Sequence, residues 1–360
     1  MTPPSPTDAV SLIQREVDRA RLRARNGIRY VTAGGVARVG ATPKDLVWQR
    51  DRATLWRYRS DEVRYRTPVL LMLGLVSRSY ILDLHPGNSL VEHLRNGGFD
   101  VFLLDFGVPD EVDAANRLVT YADVYLRGAL EAARRETGAD TVSGLGYCMG
   151  ANFMLMQLGA RTGHRLSSLV VLAPPIDFRH CAPLIRPLAE GKIDPEELID
   201  EETGLVPAGL IRNAFRSTKP THEIVQYANL WENLWRDEYL EGHQAMTRWV
   251  GDHVPFPGAA FRQYARSIMR DNGFVTGHLR LATRPVNLQT VRIPVFNAMA
   301  EFDEIVPLRS AEALAGILPN APYEELRVSA GHIGLVAGRR CAKVTAPGII
   351  SFLSRHSEAA

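Results

Sequence analysis

The stretch Gly144-Leu145-Gly146-Tyr147-Cys148-Met149-Gly150-Ala151, GLGYCMGA, decides how the rest of the chain is read. It ends an apolar run, TVSGLG (141–146), that predicts a strand, and it opens a predicted helix over 151–160. Glycines at 146 and 150 leave room for a tight strand-to-helix turn that a side chain would crowd. The residue at the tip, Cys148, is pushed out at the edge of a sheet and at a helix N-terminus, where unpaired N–H groups favour a thiolate. G-x-C-x-G is the spacing of a nucleophile elbow with cysteine in place of serine. A buried structural cysteine in a glycine-rich turn is the plainer alternative.

Outward from the elbow the pattern alternates. KDLVWQR and ATLWRYR, within about 44–60, suit two short strands, and PVLLMLGLV (68–76) and FDVFLLDFG (99–107) suit buried ones. Helices are predicted at 89–97 and 121–137, and a further strand at SSLVVLAPP (167–175). Near-continuous apolar strands separated by helices imply a mostly parallel sheet covered on both faces, an α/β fold. The rhythm stops over about 178–280, where 198–200, 210–217, 221–235 and 258–270 read as helical and no buried strand stands out. That segment reads as a helical cap over a site at the sheet edge. The alternation resumes with IPVFNAMAEFD (293–303), a helix at 309–318, YEELRVS (323–329) and a last helix at 347–354. Before the sheet, 8–26 predicts an amphipathic helix, with Val10, Ile13, Val17 and Ala20 near one face and arginines on the other. It packs on the main domain, or it is a contact for a partner protein or an apolar surface. The expected organisation is an N-terminal helix and extension (1–40), a first core part (41–177), the cap (178–285) and a second core part (286–360).

The chain has 360 residues, 46% hydrophobic, enough for one large core. A net charge of +2, with arginines mixed among acids, gives no field that dictates a partner, and no basic stripe with aromatics supports nucleic-acid binding. The three cysteines, Cys148, Cys181 and Cys341, are too few and too far apart for a disulfide framework, so a reducing, cytoplasmic setting is expected. The N-terminus MTPPSPTDAV lacks a secretory pattern, and no apolar run reaches the roughly 20 residues that span a bilayer. Neither a metal-ligand spacing nor a dinucleotide fingerprint is present, so no cofactor is expected.

A nucleophilic cysteine needs a base, and the base needs an orienting group. In chains built around this elbow the order is nucleophile, acid, histidine. Asp303, ending IPVFNAMAEFD, and His332, in SAGHIG, meet that order, and each follows the C-terminal end of a predicted strand. Glu301 and Glu304 flank Asp303. Asp105, in LLDFG, competes but precedes Cys148 and reads as structural. His85, His164, His180, His222, His243 and His253 are weaker rivals, on predicted helices or in loops. Backbone N–H groups of Met149 and, from the loop after 68–76, Val76 are the expected oxyanion donors; Ser77 is the neighbouring choice for the second. A thiol suits exchange between thioesters: loading from an acyl-coenzyme A is nearly isoenergetic, and the acyl-enzyme stays activated toward an alcohol. The elbow thus suggests acyl transfer to a hydroxyl more than ester hydrolysis, with a cap limiting loss to water.

With these residues the chain resembles the α/β-hydrolase superfamily and, within it, polyhydroxyalkanoate synthases, in particular the catalytic subunit of the two-component (class III) type. The resemblance runs from about Gly40 to Ala337. It is carried by GATPKDLVWQRDRATLWRYR, LVSRSYILDLHPGNSLVEHL, FDVFLLDFG, GYCMGAN, MTRWVGD, GAAFRQ, AEFDEIVPLRSAEAL and GHIGLVAG. It implies that Cys148, Asp303 and His332 form a catalytic triad. It also implies that short-chain 3-hydroxyacyl-CoA is polymerised into polyester, that an accessory synthase subunit takes part, and that the protein sits in the cytoplasm or at polyester granules. A homodimer stays open. Trp249 and Asp252 match a family pattern, or serve helix packing and a helix start. Phe106 and Ala151 stand where the family usually has tryptophan and glycine, and VPFPG (254–258) departs from its cap. A cysteine-dependent thioesterase or depolymerase, and a non-catalytic granule-associated paralogue, are the alternatives.

Overall fold

The computed structural model describes residues 6–32, 38–217 and 230–360. Eight strands form the central sheet: β1 (Asp45–Arg50), β2 (Ala53–Tyr58), β3 (Tyr65–Met72), β4 (Phe99–Asp105), β5 (Val142–Tyr147), β6 (Leu166–Leu172), β7 (Val295–Ala300) and β8 (Tyr323–Val328). Their spatial order is β1-β2-β4-β3-β5-β6-β7-β8. From β4 across to β8 every pairing is parallel, whereas β2 runs against both neighbours. The inner strands of the parallel part are buried on both faces, with every residue of β5 and β7 buried, whereas the edge strand β8 is largely exposed.

Four helices matter for the site: α1 (Pro6–Thr32), α2 (Leu90–Asn96), α3 (Leu126–Thr137) and α4 (Met149–Ala160). α2 starts where Ser89 Oγ accepts from the Glu92 N–H, and α3 stops at Gly138, which adopts a positive φ of 72°. α3 and α4 cover one face of the sheet with Leu126, Leu130, Phe153 and Met154, while α2 and the helix Ala346–Arg355 cover the other. α4 is apolar all round because it is enclosed on every side.

The segment between β6 and β7 carries the helices Ala208–Ser217, Asp237–Gly251 and Gly258–Gln263, the last continued by a π-helical turn, Tyr264–Arg270. Two short antiparallel ladders, Leu205–Val206 with Phe256–Pro257 and Arg280–Leu281 with Arg284–Pro285, also lie here, correcting the expectation of helices and loops alone. The helix expected at 198–200 is instead a short 3-10 turn, Pro195–Leu198, capped by Asp194, after which Asp200 accepts from the Thr203 backbone and hydroxyl. Of the helix expected at 221–235, residues 221–229 and His222 lie outside the described residues. α1 runs past the expected end at residue 26, where Asn26 is buried and its Nδ2 donates to the Leu234 carbonyl at 2.8 Å. Among the described residues no helix is long and apolar enough to cross a membrane.

Candidate active site

Cys148 sits between β5 and α4 with φ 54° and ψ −123°, a conformation non-glycine residues rarely hold. Close packing over-determines it. A Cβ on Gly146 would lie 2.5 Å from the Ala151 Cα, and one on Gly150 would run into the Met72 carbonyl of β3. The turn is stitched by the Cys148 N–H donating to the Leu172 carbonyl at 2.8 Å and the Ala151 N–H donating to the Cys148 carbonyl at 3.0 Å. Backbone therefore touches backbone on both sides of the cysteine, and only glycine fits at 146 and 150.

The other two candidates come from the ends of neighbouring strands. Asp303 follows β7, and its Oδ1 accepts from the Ile305 and Val306 N–H groups at 2.9 and 2.8 Å. Its Oδ2 is thereby aimed at His332 Nδ1, 2.7 Å away. His332 opens a short 3-10 turn after β8, and both side chains are buried. Burial works against a charged imidazole here, but the charges of Asp303 and Cys148 and hydrogen bonds to both outweigh it and raise His332 to about 10. The structure thus brings Cys148 to the same cavity wall as the hydrogen-bonded His332–Asp303 pair, the arrangement in which a nucleophile's proton can pass to an oriented base.

Tyr147 is a residue that sequence reasoning missed. Its ring stacks on the His332 ring, centroids 4.9 Å apart, and its hydroxyl donates to the His332 carbonyl at 3.2 Å. It thus holds both the ring and the backbone of the histidine. Its place beside Cys148 was the available signal, masked because an aromatic in a buried strand reads as core.

The weaker candidates have other partners, although His243 and His253 line the same cavity as Cys148. Asp105 accepts from Ser79 Oγ at 2.6 Å and from the Gly107 N–H at 2.8 Å, a turn-fixing role. His253 stacks on Phe215 and faces the Val250 carbonyl, and His243 stacks on Tyr239. Phe106 packs edge-on against Tyr121, and Ala151 is fully buried at the elbow. Among the described residues no cluster of His, Cys, Asp and Glu is arranged to hold a metal ion.

Cys148 opens into a cavity of about 1100 Å³. Val76 and Met149 line it beside the cysteine, and Ile185, Phe215, Phe256 and Met269 make its far walls apolar. Ligand pockets run roughly 300–1000 Å³, so this one has room for far more than a four-carbon acyl group. The loop carrying Val76 is fastened to the segment above it. The Val254 N–H donates to the Val76 carbonyl at 3.3 Å, Trp249 Nε1 to the Arg78 carbonyl at 2.9 Å, and Tyr80 Oη to Asp252 at 3.0 Å. Trp249 and Asp252 therefore do packing and anchoring work.

Residues 67–338 match a family model described as alpha/beta hydrolase fold. The chain is 29% identical over 347 residues to a poly(3-hydroxyalkanoate) polymerase subunit from Allochromatium vinosum, covering 95% of this chain and 97% of that one. It is 26% identical over 322 residues to the subunit of the same name from Haloferax mediterranei, covering 89% of this chain and 65% of that one. Among solved structures, an esterase from Thermogutta terrifontis aligns with a TM-score of 0.50 at 15% identity, covering 88% of this chain and all of that one. A hydrolase from Pseudomonas aeruginosa aligns at 0.52 and 14%, covering 87% of this chain and 99% of that one. These two bear on the fold alone.

Proposed function

The chain belongs to the alpha/beta hydrolase fold family, and from that premise we propose that it polymerises short-chain 3-hydroxyacyl-CoA into polyhydroxyalkanoate through an acyl-cysteine. The observation that carries this reading is a cysteine, where hydrolases of this fold use serine, linked to the His332–Asp303 pair. Similarity along most of the chain to subunits named as poly(3-hydroxyalkanoate) polymerases supports it.

Cys148 sulfur attacks the thioester carbonyl and the developing oxyanion meets backbone N–H groups, with Met149 and Val76 as the candidate donors. The carbon–sulfur bond to CoA breaks, and the departing thiolate takes the proton held on His332. The hydroxyl of a second hydroxyacyl group then attacks the acyl-cysteine. His332 accepts that hydroxyl's proton, an ester bond forms, and Cys148 is released. Asp303 keeps Nδ1 occupied, so that Nε2 faces the reacting atoms in both steps. Acyl-CoA is the substrate and no further cofactor takes part. An accessory synthase subunit is the expected partner, with a homodimer as the simpler assembly, and a cytoplasmic or granule-surface location fits an insoluble product.

The test is incubation with 3-hydroxybutyryl-CoA, with and without a candidate accessory subunit, following free CoA thiol, insoluble polymer and the mass of the Cys148 peptide. Polymer and a covalent adduct on Cys148 are expected, with Cys148→Ala losing on the order of 10³-fold or more of CoA release, since residues of such a set act as a unit. CoA release with only soluble monomeric acid refutes polymerisation and leaves a thioesterase.

A further inference from the structure

One buried tyrosine of the cavity wall carries a hydroxyl proton that no hydrogen bond among the described residues takes. Tyr264 begins the π-helical turn Tyr264–Arg270, is 2% exposed, and lines the cavity into which Cys148 opens. Its ring is set edge-on against Phe178, with centroids 6.3 Å apart. Its hydroxyl lies 3.0 Å from Asn152 Nδ2, and that same nitrogen lies 3.0 Å from the Pro175 carbonyl.

The Pro175 carbonyl fixes which way this amide faces. A carbonyl oxygen can only accept, so the Asn152 atom in front of it must be the NH₂ group. The second N–H of that group is then the one that meets Tyr264, and the phenol oxygen accepts. Its own O–H proton points away from Asn152, and no hydrogen bond among the described residues takes it. Burial, with the charge of Cys148, pushes the phenol well above its ordinary value, so the proton stays on the oxygen. A buried donor without a partner is costly unless a ligand completes it.

The placement says which ligand atom. The candidate oxyanion donor, Met149, stands at the first position of α4, and Asn152 stands three residues further on. Three residues of helix advance about 4.5 Å, comparable to the offset between an acyl carbonyl and an oxygen two carbons along. Resting on the acyl-transfer reading above, we infer that the Tyr264 hydroxyl, held by Asn152, donates to the 3-hydroxyl oxygen of the acyl group on Cys148. The pair selects 3-hydroxyacyl over unsubstituted acyl thioesters. A site built to hydrogen-bond a substrate oxygen discriminates strongly against the analogue lacking it, because the analogue strands the buried donor.

The experiment is single-turnover loading of Cys148, read by mass, with 3-hydroxybutyryl-CoA and with butyryl-CoA, in the wild type and in Tyr264→Phe. The wild type is expected to prefer the hydroxylated thioester by roughly tenfold or more. Tyr264→Phe is expected to narrow that ratio by a similar factor, the larger fall being on the hydroxylated substrate. An unchanged ratio in Tyr264→Phe overturns the assignment, as does a wild type that loads both thioesters equally, which needs no variant to fold. No adduct from either thioester in the wild type strikes instead at the acyl-transfer reading itself.

Discussion

The elbow and the seam between cap and sheet are built differently. Around Cys148 backbone meets backbone: β3, β5 and α4 approach so closely that a single added methyl at Gly150 has nowhere to go. The cap segment shares the apolar core through side chains such as Ile211, Phe256, Phe261 and Trp249, and polar side-chain contacts add to its hold on the sheet edge. Trp249 reaches Arg78 and Tyr80 reaches Asp252, while Asn272 donates to Asp177 and accepts from the Phe178 N–H. Part of the cap is further pinned to itself by Arg262 and Glu196. Close packing gives a site that does not yield, while polar links can be exchanged with water at little net cost. The nucleophile is thus positioned by backbone packing, and much of the acyl cavity is shaped by cap side chains.

The sharpest way to break this contrast is to add one methyl in each region. Gly150→Ala is expected to destabilise the protein by about 3 kcal/mol or more, the upper end for overpacking, because the obstacle is main chain rather than a flexible side chain. Gly251→Ala, at the end of the cap helix Asp237–Gly251 with open space around its Cβ, is expected to be neutral or to add up to about 1 kcal/mol. Urea unfolding of both variants measures this. Equal effects would mean that the elbow relaxes as easily as the cap.

A second prediction concerns the electrostatics of the rigid part. His332 is raised to about 10 although burial opposes its charge, and Asp303 is the first of the groups that raise it. Because the raised value belongs to the folded state, the stabilisation of the charged imidazole is complete below the ordinary histidine value and is lost as pH rises toward 10. Asp303→Asn removes that charge and leaves the burial, so the alkaline limb of Cys148 acylation by 3-hydroxybutyryl-CoA should move to lower pH by a unit or more, about 1.4 kcal/mol per unit. A limb that stays in place would assign the raised value to Cys148 alone.

What the sequence disclosed follows the same division. The inner strands were readable because a sheet covered on both faces leaves a long apolar run in each, and the order of Cys148, Asp303 and His332 followed from where the strands end. The reversed direction of β2 leaves no mark in its residue pattern, since a strand's side chains alternate the same way whichever way it runs. In the cap, two-residue ladders such as Leu205–Val206 are too short to show a period, and the π-helical turn at Tyr264 is a backbone event. The helix that the sequence pattern ended at 26 continues, and Asn26 bonds the distant Leu234, a contact no local pattern shows. Tyr147 and Tyr264 were hidden for one reason: a buried ring contributes apolar character, and its hydroxyl acquires a role only from what the fold brings to it.

The smallest effect is expected where the two regions join. Tyr80→Phe removes the hydroxyl that donates to Asp252 and leaves the ring in place, at a cost of about 1 kcal/mol in the cap's attachment. The neighbouring contacts, Trp249 to Arg78 and Val254 to Val76, depend on the same seam and should open more often. Amide hydrogen exchange is the suitable measurement, because it separates local from global opening. Faster exchange at the Val254 amide, with the Cys148 and Ala151 amides unchanged, would show that the cap lifts while the elbow stays closed. Equal acceleration at all three would mean that the region is one cooperative unit. The looser seam would then be no feature of the cap, since cap and nucleophile would open together.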